Sequence, residues 1–159
     1  MITLAQRRKT TLRSYKIAIV YCSNTGNTKE VALGLSAAFQ RTGCKVDVYG
    51  HNEFYESILH EYDAVILGTY TWGDGELPEK FKPVLNKFYR DDIRDLVTGA
   101  FGTGETCYPI FCGAVDECAV TLDAYTNFAV TLKVEQAPQQ LDMDKFPVFV
   151  SHILKELEK

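Results

Sequence analysis

Six consecutive polar residues, Ser23-Asn24-Thr25-Gly26-Asn27-Thr28, put three hydroxyls, two amides and a glycine between an apolar run and an amphipathic one. Such a stretch aims successive backbone N–H groups and hydroxyls at one point above a helix N-terminus. That is the chemistry of anion binding, and of phosphate above all. The loop holds no Lys or Arg, and the pattern G-x-x-x-x-G-K-[ST] that serves a nucleoside triphosphate is missing. A single terminal phosphate therefore fits it better than a triphosphate with magnesium. The plain alternative is a strand-to-helix turn capped by Ser and Thr.

Two further loops carry aromatic residues in polar, glycine-rich surroundings. The only tryptophan lies in Tyr70-Thr71-Trp72-Gly73-Asp74-Gly75-Glu76-Leu77-Pro78, and a tyrosine in Gly102-Thr103-Gly104-Glu105-Thr106-Cys107-Tyr108-Pro109. Two rings on neighbouring loops above a phosphate nest suit a planar heterocycle stacked between them. Taken singly, Trp72 reads equally well as a core plug under a long loop, and Tyr108 as packing at a helix start. The remaining candidates are poorer. His51, His60 and His152 are scattered and match neither metal-ligand spacing nor a base–nucleophile pair. Cys112 and Cys118 fall on the helix expected after Tyr108 as small core fillers, whereas Cys107 belongs to an exposed loop. No G-x-S-x-G elbow or metalloprotease motif occurs, so neither catalytic nor metal-binding residues are assigned.

Strands and helices alternate along the whole chain and must position these loops. Apolar, β-branched runs predict strands at 16–22, 45–50, 63–69, 97–101 and 128–134. Helical spacing predicts helices at 27–41, 79–89, 109–125 and 141–157, with a short helical turn near 53–60. Gly43 suits a helix C-terminus; Pro78, Pro109 and Pro138 suit connections; Asp142 or Asp144 suits the cap of the last helix. Pro83 and Pro147 belong in first turns. Alternating elements with right-handed crossovers give an α/β, doubly wound, five-stranded parallel sheet with helices on both faces. The strand order 2-1-3-4-5 then brings all three loops to the carboxyl ends of the strands, at the switch point beside the first.

A length of 159 residues is one domain's worth, and no apolar stretch approaches a membrane span. The net charge of −4 is unevenly spread. Arg7, Arg8, Lys9, Arg13 and Lys16 stand in a leader without acids; the other twelve basic residues face twenty-one acidic ones, a body charge of −9. Nucleic-acid binding is thereby disfavoured and a basic partner surface favoured. We divide the chain into a basic N-terminal extension over 1–15, expected to be disordered, and a single domain over 16–159. The leader is also compatible with a targeting remnant or an interaction arm. An odd number of cysteines with no C-x-x-C pair suits a reducing compartment, hence a cytoplasmic protein.

With these loops in place, the chain resembles the short-chain flavodoxins over nearly all of 16–159. S-N-T-G-N-T matches that family's phosphate loop, T-Y-T-W-G-D-G-E-L its first flavin-ring loop, and F-G-T-G-E-T-C-Y-P-I-F-C-G-A-V-D its second. The connection to the fifth strand leaves no room for the long-chain insertion. The resemblance implies non-covalently bound FMN and a low-potential one-electron carrier shuttling between semiquinone and hydroquinone. It implies a phosphate site at Ser23, Asn24, Thr25, Gly26, Asn27 and Thr28, and a ribityl and ring site at Thr69, Tyr70, Thr71, Trp72, Gly73, Asp74 and Gly75. Gly102, Thr103, Gly104, Glu105, Cys107 and Tyr108 complete the set, with Trp72 and Tyr108 on opposite flavin faces and backbone N–H groups of Thr103–Cys107 at the pyrimidine edge. Glu105 stands where short-chain members often have Asp. The Gly73–Asp74 peptide corresponds to the one that turns on one-electron reduction, a movement that glycine permits.

Asp74, Glu76 and Glu105 lie in the ring loops, with Glu79, Asp91 and Asp92 expected nearby. Each carboxylate about 10 Å from an anionic reduced ring, at an effective dielectric of about 40, disfavours it by roughly 0.8 kcal/mol. The same acids offer a docking face for redox proteins: a flavodoxin or ferredoxin reductase as donor, low-potential enzymes as acceptors, and a monomeric carrier between them. An FMN-dependent quinone or nitro reductase of the same fold is the alternative. A response-regulator receiver is not, because Cys22-Ser23-Asn24 and Thr69-Tyr70 stand where its acids belong.

Overall fold

The computed structural model describes residues 14–159, and residues 1–13 of the expected extension lie outside the described residues. Ser14 and Tyr15 lie against the domain. The Ser14 hydroxyl donates to the Gly43 carbonyl (2.8 Å), and the Tyr15 carbonyl accepts from the Lys45 N–H (2.9 Å).

Five parallel strands form one sheet: β1 (Lys16–Cys22), β2 (Lys45–Gly50), β3 (Ala64–Tyr70), β4 (Val97–Gly104) and β5 (Asn127–Glu135), in the order β2-β1-β3-β4-β5. Because side chains alternate across a strand, each central strand feeds two cores. In β3, Val65 and Leu67 face one cluster while Ala64 and Ile66 face the other. Helices α1 (Asn27–Arg41) and α5 (Phe146–Leu157) cover the second face. Helix α3 (Gly113–Tyr125), the short α2 (Lys82–Asn86) and 3-10 turns at Glu56–His60 and Glu79–Phe81 cover the first. Continuous apolar runs are what a strand buried on both faces requires.

Three predicted helices differ from the observed ones, each for a local reason. The segment 79–89 becomes a 3-10 turn and the five-residue α2, because Phe88 turns into the core and stacks on Phe54 (centroids 6.3 Å apart). The helix expected from 109 starts at Gly113, so Cys112 precedes it, buried and with φ +52. The last helix is split into α4 (Gln140–Met143) and α5, since Pro147 has no N–H and must sit in a first turn. Asp142 accordingly caps α4, in a reciprocal pair with Gln139, and no side chain caps α5.

Register sets the level of the loops. Cys22 pairs with Thr69, Thr69 with Gly102, Tyr70 with Thr103 and Gly104 with Glu135. All four strands thus end at one rim.

Candidate functional site

The first loop leaves β1 at Cys22 and enters α1 through Gly26, whose φ is +98. A Cβ there would meet nothing within 4 Å, so glycine answers to the left-handed backbone and not to space. Ser23 Oγ accepts from the N–H groups of Gly26 (3.1 Å) and Lys29 (3.4 Å), which closes the loop on itself. Apart from Ser23 on the Lys29 N–H, no side chain among the described residues caps α1, which leaves the first-turn N–H groups of Asn27 and Thr28 for a ligand. The Thr28 hydroxyl is buried against that of Thr103 (2.8 Å). Lys80, from the 3-10 turn after the next loop, donates to the Ser23 carbonyl (3.4 Å) and lies over the Tyr70 ring (5.4 Å). The loop thus borrows a cation that its own sequence lacks.

The second loop is a tight hairpin. Trp72 N–H donates to the Glu76 carbonyl (2.8 Å) and Glu76 N–H to the Trp72 carbonyl (2.7 Å), with Gly73 (φ +53) and Gly75 (φ +110) making the turn. Gly75 packs closely on the start of α3: a Cβ on Gly113 would come 2.6 Å from the Gly75 carbonyl oxygen.

The third loop leaves β4 at Gly104. Tyr108 N–H donates to the Glu105 carbonyl (3.3 Å), and the Thr106 N–H and hydroxyl both donate to Glu135 Oε2, the former at 3.0 Å. These bonds hold the Glu135 carboxyl below the usual carboxylate range. The exposed Cys107 donates to Glu105 (3.4 Å), which pushes its thiol up. Burial does the same to Cys22 and takes Cys112 to about 11. None of these thiols is a ready nucleophile.

The loops enclose a cavity of about 430 Å³, within the range of small-molecule sites. It is lined by Asn24, Thr25, Asn27, Tyr70, Thr71, Trp72, Gly73, Thr103, Gly104, Glu105 and Tyr108, together with Ile110 and Gln136. The other expected residues stand behind this wall. Ser23, Gly26 and Thr28 shape the first loop, Asp74 and Gly75 the hairpin turn, and Thr69 and Gly102 are buried where β3 and β4 nearly touch. Cys107 lies on the exposed third loop, outside the lining. Ile110 and Gln136 were not found in the sequence. Ile110 follows a proline in an unpatterned stretch, and Gln136 comes from the far end of β5 with φ +53. The Thr71 hydroxyl oxygen is buried and, among the described residues, has no hydrogen-bond partner. A buried hydroxyl on a cavity wall needs one, and a polar ligand supplies it.

Asp91 and Asp92 correct one expectation. They precede β4 and line a separate hollow with His60 and Asp63, at the opposite ends of the strands, roughly 20 Å from the ring loops at strand rise. Arg90 clasps Asp92 there and holds its carboxyl down to about 2. Asp74, Glu76 and Glu105 stay beside the cavity, exposed.

Comparison with known proteins follows the same lines. Residues 19–145 match the family model described as Flavodoxin. Probable flavodoxin 1 of Bacillus subtilis is 36% identical over 126 residues, 78% of this chain and 80% of its own length. Probable flavodoxin 2 of the same organism is 34% identical over 127 residues, 78% of this chain and 84% of its own length. The crystal structure of oxidised flavodoxin 1 from Bacillus cereus superposes with a TM-score of 0.80 at 32% identity, covering 88% of this chain and 97% of that one.

Proposed function

The chain belongs to the flavodoxin family, electron-transfer flavoproteins and not substrate-turnover enzymes, and we propose that its flavin is FMN, held non-covalently in the cavity at the strand ends. The observation that carries this reading is the joint lining of one cavity by the N-terminus of α1, the orphaned Thr71 hydroxyl and the rings of Trp72 and Tyr108. When bound, FMN supplies one-electron redox chemistry. The protein does the rest. The N–H groups of Asn27 and Thr28, with the hydroxyl of Thr25, bind the phosphate at the positive end of a helix. The side chain of Thr71 donates to, or accepts from, the polyol between phosphate and ring. Trp72 and Tyr108, 58% and 47% exposed, give the ring two apolar faces and exclude water from them.

Asp74, Glu76 and Glu105 keep negative charge beside the ring and favour its neutral, oxidised form. They also mark the docking face for redox proteins with basic surfaces: a reductase of the flavodoxin or ferredoxin type as donor, and low-potential acceptors. We place the protein in the cytoplasm as a monomer. Five free cysteines support a reducing compartment, and among the described residues no helix is long and apolar enough to cross a membrane. The reading as a quinone or nitro reductase is not favoured, because the two Bacillus subtilis relatives, matched over most of their own length, are flavodoxins by name.

Titration of apoprotein with FMN tests the assignment. The single tryptophan sits on the cavity wall, so its emission falls as FMN binds and stays constant with inorganic phosphate alone. Unchanged emission, with flavin fluorescence also unchanged, overturns the FMN reading. Stepwise anaerobic reduction then separates carrier from reductase. A carrier accumulates a one-electron-reduced form, whereas direct two-electron reduction with rapid NAD(P)H turnover points to the reductase.

A further inference from the structure

The third loop is pinned by β5, an element that contributes no part of any site motif. Glu135, the last residue of β5, receives both the backbone N–H and the hydroxyl of Thr106 on one carboxylate oxygen. The next residue, Gln136, donates its N–H to the Gly104 carbonyl (2.9 Å) and lines the cavity. Gln136 does this at φ +53, a conformation that a residue with a side chain adopts at a cost and keeps only where its surroundings hold it. Three hydrogen bonds thus join residues 104–106 to residues 135–136. Nothing about core packing calls for them: Glu135 is exposed, and among the described residues no basic side chain pairs with it. What they achieve is local. With Thr106 committed to Glu135, the N–H groups of Glu105 and Cys107 on either side have no protein partner among the described residues.

We propose that Glu135 is a positioning residue for the flavin ring: by tying Thr106 to β5 it fixes the neighbouring N–H groups for the ring's carbonyl-bearing edge. The inference rests on the FMN reading of the cavity. Since the phosphate is held at the first loop, the third loop meets the ring, and Glu135 sets affinity for the ring without touching the phosphate. A preorganised loop spares the ligand the cost of ordering it.

Three variants decide the matter: Glu135→Ala removes the acceptor, Glu135→Gln keeps an acceptor oxygen, and Ser23→Ala loosens the phosphate end. Each is titrated with FMN and with riboflavin, which has no phosphate, and amide exchange at Thr106 is followed in the apoprotein. Glu135→Ala weakens both flavins by the same factor, about tenfold, and speeds Thr106 exchange by a similar factor. Glu135→Gln recovers most of both, and Ser23→Ala weakens FMN while sparing riboflavin. A Glu135→Ala protein with wild-type riboflavin affinity, or with unchanged Thr106 exchange, overturns the proposal. So does a loss confined to FMN. Wild-type protein that binds neither flavin sinks the FMN reading itself, an outcome distinct from a wild type that binds both and a variant that matches it.

Discussion

The hydroxyl of Thr28, in the first turn of α1, lies 2.8 Å from the hydroxyl of Thr103 near the end of β4, and both residues are buried. The first loop and the third loop are therefore joined by one side-chain contact beneath the cavity. Neither hydroxyl has another partner among the described residues, so removing one strands the other. Thr28→Val is expected to cost about 1–3 kcal/mol in urea denaturation of the apoprotein. The double variant Thr28→Val, Thr103→Val regains most of that loss. Simple addition of the two single effects would show that the pair is not coupled.

Gly102 tests the close approach of β3 and β4. A Cβ at this position would stand 2.2 Å from the Thr69 carbonyl oxygen and 2.4 Å from Val115. Neither neighbour moves freely, since one is backbone and the other lies in the core. Gly102→Ala is expected to destabilise the apoprotein by the upper part of about 1–3 kcal/mol, read as a lower urea midpoint.

Gly73 behaves oppositely. A Cβ there meets no protein atom within 4 Å, so within the protein substitution acts through φ +53. Gly73→Val forces the hairpin turn between Trp72 and Glu76 to adopt another backbone conformation. The fraction of protein held at the one-electron level during anaerobic reduction is expected to fall several-fold, while the Kd for FMN changes by less than about threefold. Equal losses in both would detach this turn from redox control.

Tyr62 predicts an alkaline limit. Its hydroxyl donates to Asp47 Oδ2 (2.6 Å) beside the Tyr49 hydroxyl (2.5 Å). Burial first, then these neighbours, raise its pKa well above the ordinary value of 10.0. A raised folded value contributes stability that is complete below the unfolded value and is lost as pH rises toward the folded one. The Tm difference between wild type and Tyr62→Phe should therefore be constant up to about pH 9 and shrink above pH 10. A difference that persists unchanged at pH 11 would show that ionisation of the Tyr62 hydroxyl does not limit stability in that range.

Much of this was legible in the sequence. Lys16–Cys22, Asn27–Arg41 and Lys45–Gly50 run where the apolar patterns put them, because each pattern reports burial within its own element. The aromatic and glycine-rich loops were equally visible through residue types that are unusual at strand ends. What stayed hidden depends on partners distant in sequence. Glu135 looks like any charged strand terminus until Thr106 is placed against it, 29 residues away. Lys80 reads as a solvated helix residue until the fold brings it to the Ser23 carbonyl. Asp91 and Asp92 were misplaced for the converse reason: proximity to a motif along the chain says nothing about which end of a strand a residue occupies.

The rings of Trp72 and Tyr108 stand on the wall of one cavity, at one rim of the sheet, and remain about half exposed. With FMN in that cavity, as proposed, electrons would enter and leave through one common doorway. On the proposed docking face, a donor protein seated there would block an acceptor, and the two are expected to compete for the carrier. Throughput then depends on how quickly each encounter ends. On that docking face, a mutation that tightens either partnership is expected to slow the whole circuit, so release matters as much as recognition.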